Sequence, residues 1–221
     1  MAAPGDVDVA LFDLDRTLID CNSGRLWLAA ERREGRIGVR DLVWASYWLV
    51  RYGLGYDEGL DEVFAVAVRT LEGEEEAVLE ERVARWFERE VGHRLRAGAQ
   101  AVVDEHRAAG HRLVLATSST TYVARCAVAA YALHDEVSTD FVVEDGRFTG
   151  AIGQLAVGRA KAGAVQRWAE REGVDLQRCA FYTDSASDLA LLEAVGRPVV
   201  VHPDRRLARE AAARGWPVVW W

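Results

Sequence analysis

The order of apolar and polar stretches along the chain predicts an α/β fold. Val7–Asp13 reads as a strand, its apolar run Val9–Phe12 closed by an acid. Helical spacing takes over from Asn22 to Val91. Ser23 is placed to cap a first helix carrying Leu26, Trp27 and Ala30, and further helices are expected over Val39–Tyr52, Asp57–Leu71 and Glu75–Val91. The stretch "YGLGYDEG" separates the second from the third. Beyond Gly98, strands are expected at Arg112–Ala116, "CAFYTD", "PVVV" and "PVVWW". They alternate with helices over Ala99–Ala109, Thr121–Ala132, Ala160–Glu172, Leu189–Val195 and Leu207–Arg214. "FVVEDGRFTG" reads as a hairpin turning at Asp145–Gly146. This alternation predicts a Rossmann-like parallel sheet with helices on both faces. The early helical block reads as an insertion after the first strand. The expected division is an α/β core of residues 1–20 and 94–221, and a helical subdomain of residues 21–93.

A chain of 221 residues can bury one sizeable core with such an insertion. The net charge of -8 offers no broad positive surface, which sets nucleic acid aside. A phosphorylated substrate would then have to be held by local cations. Cys21, Cys126 and Cys179 fit neither a disulfide framework nor a zinc site, and a reducing cytoplasm is the simplest compartment. "MAAPGDVDVA" lacks the basic start and apolar run of a signal peptide. "LVWASYWLV" is too short to span a bilayer, so no membrane role is expected. The acidic run "EGEEEAVLEER" is expected as a solvated helix start.

In an open parallel sheet, ligands bind at the carboxyl ends of the strands. Three expected strands end in polar residues: "LFDLDRT", "VLATSS" and "AFYTDSASD". Asp13, Asp15, Thr117, Ser118, Asp184 and Asp188 should therefore converge on one edge. Buried carboxylates are costly unless something pairs with them. A carboxylate cluster with oxygen neighbours suits a hard cation, above all Mg2+. Asp13 and Asp184 are the best ligands, with the Asp15 carbonyl as a third. Asp188 has a second reading, as N-cap of the helix at Leu189.

"DLDRTL" resembles the first motif, DxDxT, of the haloacid dehalogenase superfamily. "LVLAT" resembles its second motif, Lys161 its third-motif lysine, and "YTDSASD" its paired acids. All four stand in the family's order over nearly the whole chain. The helical block, the hairpin "EDGRFTG" and the ending "GRPVVVHPDRRLAREAAARGWPV" are similar to the phosphoserine-phosphatase-like branch. The resemblance implies a Mg2+-dependent phosphatase of small phosphomonoesters. It gives Asp13 as nucleophile, Asp15 as general acid and base, and Asp13, Asp15, Asp184 and Asp188 as the metal set. Lys161 would neutralise charge, and Thr117, Ser118 and Ser119 would hold phosphate oxygens.

Phosphoserine phosphatases carry a glutamate nine residues after the nucleophile to receive the substrate's amino group, and this chain has Asn22 there. Asn22 is therefore a candidate specificity residue. Thr17 reads either as a substrate contact or as a turn stabiliser, and Arg16 as loop decoration or a phosphate contact. Trp27, Trp44, Tyr47, Trp48 and Tyr52 read as core packing or as an aromatic pocket. The five histidines show no ligand spacing. Two alternatives stay open: a phosphotransferase using the same aspartyl-phosphate, and a non-catalytic phosphate-binding module. The paired acids count against the second. The absence of GxGxxG after the first strand counts against a nicotinamide-binding domain. The expected partner is a small phosphorylated metabolite, and the expected state a monomer or homodimer.

Overall fold

The computed structural model describes residues 7–38, 47, 64–65 and 68–221. The helix expected over Val39–Tyr52, most of that over Asp57–Leu71, and the side chains of Trp44, Trp48 and Tyr52 lie outside these residues. Seven strands among the described residues form one sheet: β1 (Val9–Phe12), β2 (Arg112–Thr120), β3 (Asp135–Glu144), β4 (Arg147–Gln154), β5 (Cys179–Thr183), β6 (Arg197–Val201) and β7 (Val218–Val219). Their order is β4-β3-β2-β1-β5-β6-β7, and β4 alone among them runs antiparallel to its neighbour.

The central strand explains the layering. Each residue of β1 is buried, because successive side chains face opposite sides and both sides are covered. Ala10 and Phe12 meet one core, built with α1 (Ser23–Arg33), α2 (Glu76–Glu90), α3 (Ala97–Ala108) and α4 (Thr121–Tyr131). Val9 and Leu11 meet the other, built with α5 (Arg159–Glu172), α6 (Leu189–Ala194) and α7 (Arg205–Arg214). Helices thus cover both faces, as the alternation predicted.

Between β1 and α3 the chain carries α1 and α2, which pack on each other. Trp27 stands edge-on to the buried Trp86, with ring centroids 5.1 Å apart, so Trp27 serves packing. Glu31 of α1 pairs with Arg82 of α2 at 3.5 Å. Tyr47 is exposed. Residues 73–76, expected to begin a solvated helix, instead pair with the hairpin between β3 and β4. Gly73 N donates to Phe148 O, Phe148 N to Glu74 O, and Glu76 N to Gly146 O.

Three expectations need correction. The cap of α1 is Asn22, whose Oδ1 accepts from Arg25 N at 2.9 Å, while Ser23 is the first helical residue. β2 continues beyond Ala116 to Thr120 through an irregular register. β3 starts at Asp135, before the expected hairpin, because its first half pairs with β2 and its second with β4. That half-covered strand carries polar residues, which hid it from an apolar reading. Its turn is the expected one, with Asp145 and Gly146 both at positive φ (50° and 75°), as a tight two-residue hairpin requires.

Beneath the carboxyl ends of β1 and β5, Phe12 stacks on Tyr182 at 4.9 Å. The Tyr182 hydroxyl lies 2.8 Å from His106 Nε2, and His106 Nδ1 lies 2.6 Å from His111 Nδ1. Burial, with the neighbouring His111 and Arg197, pushes the His106 imidazole down to about 4 from an ordinary 6.5. Its neutral form is thus favoured in the fold, and the unfolded chain binds the proton first as pH falls. Stability from His106 should be complete above pH 6.5 and drain away toward pH 4. Urea unfolding of wild type and His106→Gln at several pH values measures this, since other titrating groups are common to both proteins. The wild type's stability relative to the variant should fall by roughly 3 kcal/mol across that window. A difference independent of pH would refute it.

Candidate active site

The parallel register brings three strand ends side by side. Phe12 stands opposite Leu115 of β2 and Tyr182 of β5. Asp13, Thr117 and Asp184 therefore lie side by side at the same end of the sheet, and Asp13 N extends the ladder by donating to Tyr182 O at 2.9 Å. The chain then turns tightly. Leu14 O accepts from Leu18 N at 2.9 Å and Ile19 N at 3.1 Å, and Arg16, at φ 60°, donates its N–H to Cys21 O. This turn places Asp15 so that its Oδ1 accepts from Ser23 N at 2.7 Å, at the start of α1.

Lys161 arrives from the other face. It lies in the first turn of α5, which starts after Gly158 (φ 52°), a backbone region that favours glycine. Its buried ammonium donates to Asp13 Oδ1 at 2.9 Å and lies 2.9 and 3.0 Å from the two oxygens of Asp188. Thr183 Oγ1 donates to Asp188 Oδ2 at 2.7 Å. Asp188 does sit at the start of α6, but its side chain makes no capping bond. Its carboxylate is engaged by Lys161 and Thr183 instead.

The second strand contributes Thr117, Ser118 and Ser119. Thr117 is buried, and its Oγ1 accepts from Ser119 N at 3.1 Å. Ser118 O accepts from Thr139 Oγ1 at 3.3 Å. Ser119 Oγ lies 3.1 Å from Ser23 Oγ. Thr17 is wholly buried, its carbonyl accepts from Trp221 Nε1 at 3.0 Å, and its hydroxyl has no partner among the described residues.

The electrostatics of the group are unbalanced. Asp13, Asp15, Asp184 and Asp188 all cluster here, against one lysine. Burial pushes the Asp13 carboxyl up to about 7; Lys161 pulls it back, and Asp188 and Asp15 add to the rise. Burial raises Asp15 as well, opposed by its hydrogen bonds from Ser23. Asp184 is raised well above the carboxylate range by burial and by Asp13 beside it, with Arg16 opposing. The Asp184 carboxylate takes part in no hydrogen bond or ion pair among the described residues. Such a group has a place for a cation.

Among the described residues no three His, Cys, Asp or Glu side chains converge as a ready cage. A magnesium site needs less, because the ion keeps waters and takes one or two carboxylates with substrate oxygens. Asp13 and Asp184, with the Asp15 carbonyl, meet that requirement. The carboxylates of Asp15 and Asp188 are engaged elsewhere.

The predicted specificity residue Asn22 gives its side-chain oxygen to the backbone of its own segment, as the α1 cap, and the nearby Asp20 pairs with Arg94 at 2.7 Å. Sequence reasoning missed Ser23, Thr183 and Asp204. Asp204 N donates to Asp184 O at 3.0 Å, and its carboxylate accepts from Ala186 N at 2.9 Å while capping α7. An aspartate three residues ahead of the helical Leu207 was a readable N-cap signal. Nothing in the local pattern marked Ser23 or Thr183 as partners of distant acids.

Known proteins arrange themselves around this chain consistently. The profile of the haloacid dehalogenase-like hydrolases matches residues 10–193. The chain is 34% identical over 214 residues to the "inhibition of morphological differentiation protein" of Streptomyces azureus, covering 95% of this chain and 77% of that one. It is 29% identical to a phosphoserine phosphatase of Mycobacterium tuberculosis, over 95% of this chain and 69% of the relative. A crystal structure from Bordetella pertussis, of a protein of unknown function, superposes with a TM-score of 0.84 at 30% identity, covering 96% and 97% of the two chains. The chain belongs to the haloacid dehalogenase-like hydrolases.

Proposed function

We propose that this protein is a Mg2+-dependent phosphatase of small phosphomonoesters that works through an aspartyl-phosphate on Asp13. One observation carries the reading: a buried Asp13–Lys161–Asp188 bridge beside Asp184, whose carboxylate makes no hydrogen bond or ion pair among the described residues. Relatives named phosphoserine phosphatase and histidinol-phosphatase support the substrate class. Asp13 and Asp184 would hold the ion with the Asp15 carbonyl, and bound there it would offset the charge of the phosphate and its nucleophile. Three free cysteines among the described residues fit a reducing cytoplasm, and no described helix is long and apolar enough to cross a membrane. Residues 21–93 would form a cap over a core of residues 1–20 and 94–221.

The chain's own residues account for the steps. A phosphate monoester repels a carboxylate, so positive charge must sit at the point of attack. Lys161 is held there by Asp188, and Thr183 fixes Asp188. Asp13 Oδ attacks phosphorus, and the ester oxygen leaves with a proton from Asp15. Burial raises the Asp15 carboxyl, the direction a general acid needs. Asp15, now ionised, takes a proton from the water that hydrolyses the acyl phosphate, which restores both acids. Thr117, Ser118 and Ser119 would hold the remaining phosphate oxygens.

Three measurements test this reading. Asp13→Asn, or chelation of divalent cations, should lower kcat on a generic aryl phosphate by several orders of magnitude; near-wild-type turnover by Asp13→Asn would exclude the covalent route. Asp15→Asn should lower kcat/KM far more on an alkyl phosphate than on an aryl phosphate, whose leaving oxygen needs little protonation. It should also accumulate acid-precipitable phosphoprotein when labelled substrate is supplied. Equal losses with no trapped phosphate would remove Asp15 from the acid/base role. Finally, Asn22→Glu should shift the kcat/KM ratio toward phosphoserine by about tenfold, as a charge-assisted contact to the ammonium allows. The cost is a weaker α1 cap, roughly 1 kcal/mol, visible in a melting curve. A wild type that already prefers phosphoserine across a broad panel would overturn the assignment of Asn22.

A further inference from the structure

Ser23 stands where three separate segments meet. It is the first residue of α1 and is almost wholly buried, at 1% exposure. A helix leaves its first N–H groups without intrahelical partners. Here Asn22 satisfies Arg25 N, while Ser23 N donates out of the helix to Asp15 Oδ1 at 2.7 Å. The Ser23 hydroxyl lies 3.1 Å from Ser119 Oγ. Ser119 N in turn donates to Thr117 Oγ1. A continuous hydrogen-bonded path thus joins Asp15, Ser23, Ser119 and Thr117.

Any residue at this position would offer the backbone N–H. Only a hydroxyl completes the path to the second strand, and alanine would remove that partner from the half-buried Ser119. The geometry points to Ser23 as a positioning residue that holds the Asp15 carboxylate in register with the Thr117–Ser119 turn. The leaving oxygen then receives its proton where the phosphoryl group is held. Ser23 itself touches neither the phosphorus nor the leaving oxygen. The inference rests on the acid/base role proposed for Asp15, and it makes the first residue of α1 part of the reaction geometry.

A misplaced acid harms a poor leaving group more than a good one, whereas a loosened fold harms both alike. The test is kcat/KM of the full chain with Mg2+ on an aryl and on an alkyl phosphate, a parameter that covers the route only as far as phosphoryl transfer to Asp13. Ser23→Ala should lose about three- to tenfold on the alkyl ester, the range of one hydrogen bond, and less than about twofold on the aryl ester. Ser23→Thr, which restores the hydroxyl, should return the alkyl value to within about twofold of wild type. Ser119→Ala reaches the same contact from β2 and serves if Ser23→Ala does not fold. It should lower the alkyl-to-aryl ratio too, and adding Ser23→Ala to it should change that ratio no further. Equal losses on both esters, no rescue by threonine, or ratio changes that multiply in the double variant would each overturn the inference. Asp15→Asn measured alongside separates the two claims: a selective loss there with a uniform loss in Ser23→Ala removes only the positioning role.

Discussion

The ammonium of Lys161, wedged between Asp13 and Asp188, is the contact on which the site depends. Four carboxylates gather at one edge of the sheet, and removing such charges from water costs several kcal/mol each unless they are paired. Lys161 compensates two of them at 2.9 Å from each, without solvent around it. Thr183 then fixes Asp188 from the end of β5, so the lysine has a defined position rather than a set of rotamers. This contact also joins the two sides of the sheet, because Asp13 ends β1 while Lys161 comes from a helix of the opposite core. The charge left over, centred on Asp184, is what gives the edge its affinity for a hard cation in the proposed reading.

The turn after β1 applies the same economy of placement to Asp15. A residue two positions after Asp13 would ordinarily continue away from the strand end. The left-handed Arg16 and the double acceptance by Leu14 O bend the chain back, and α1 begins against the Asp15 carboxylate. The start of a helix is a favourable place for an anion. Burial raises the Asp15 carboxyl there, and the hydrogen bonds from Ser23 at the helix start oppose that rise.

Much of this was legible in the sequence. Period-two burial and continuous apolar runs marked β1, β2, β5 and β6, and the rule that ligands gather at carboxyl ends placed Asp13, Thr117 and Asp184 together before any coordinates. Lys161 was found only by motif order, since one lysine on a helix carries no signal of its own. Asp188 was ambiguous, because an acid before a short helix reads equally as a cap; the structure gives its carboxylate to Lys161 and Thr183. Ser23 and Asn22 were exchanged as cap and first residue, a one-position error that propensity cannot resolve, as either side chain can cap. The first half of β3 was missed because its polar residues are paired on one side and only half covered.

The pairing of residues 73–76 with the hairpin has a mechanical consequence. The inserted segment joins the sheet at its two chain ends, where Asp20 N meets Arg94 O and Arg96 N meets Leu18 O. The backbone bonds to Gly146 and Phe148 add another tether, distant in sequence, at the opposite edge. The helices α1 and α2 are thereby tied to the fold both beside the end of β1 and at the β3–β4 hairpin, so a change at Gly146 or Phe148 bears on the segment that lies next to Asp15.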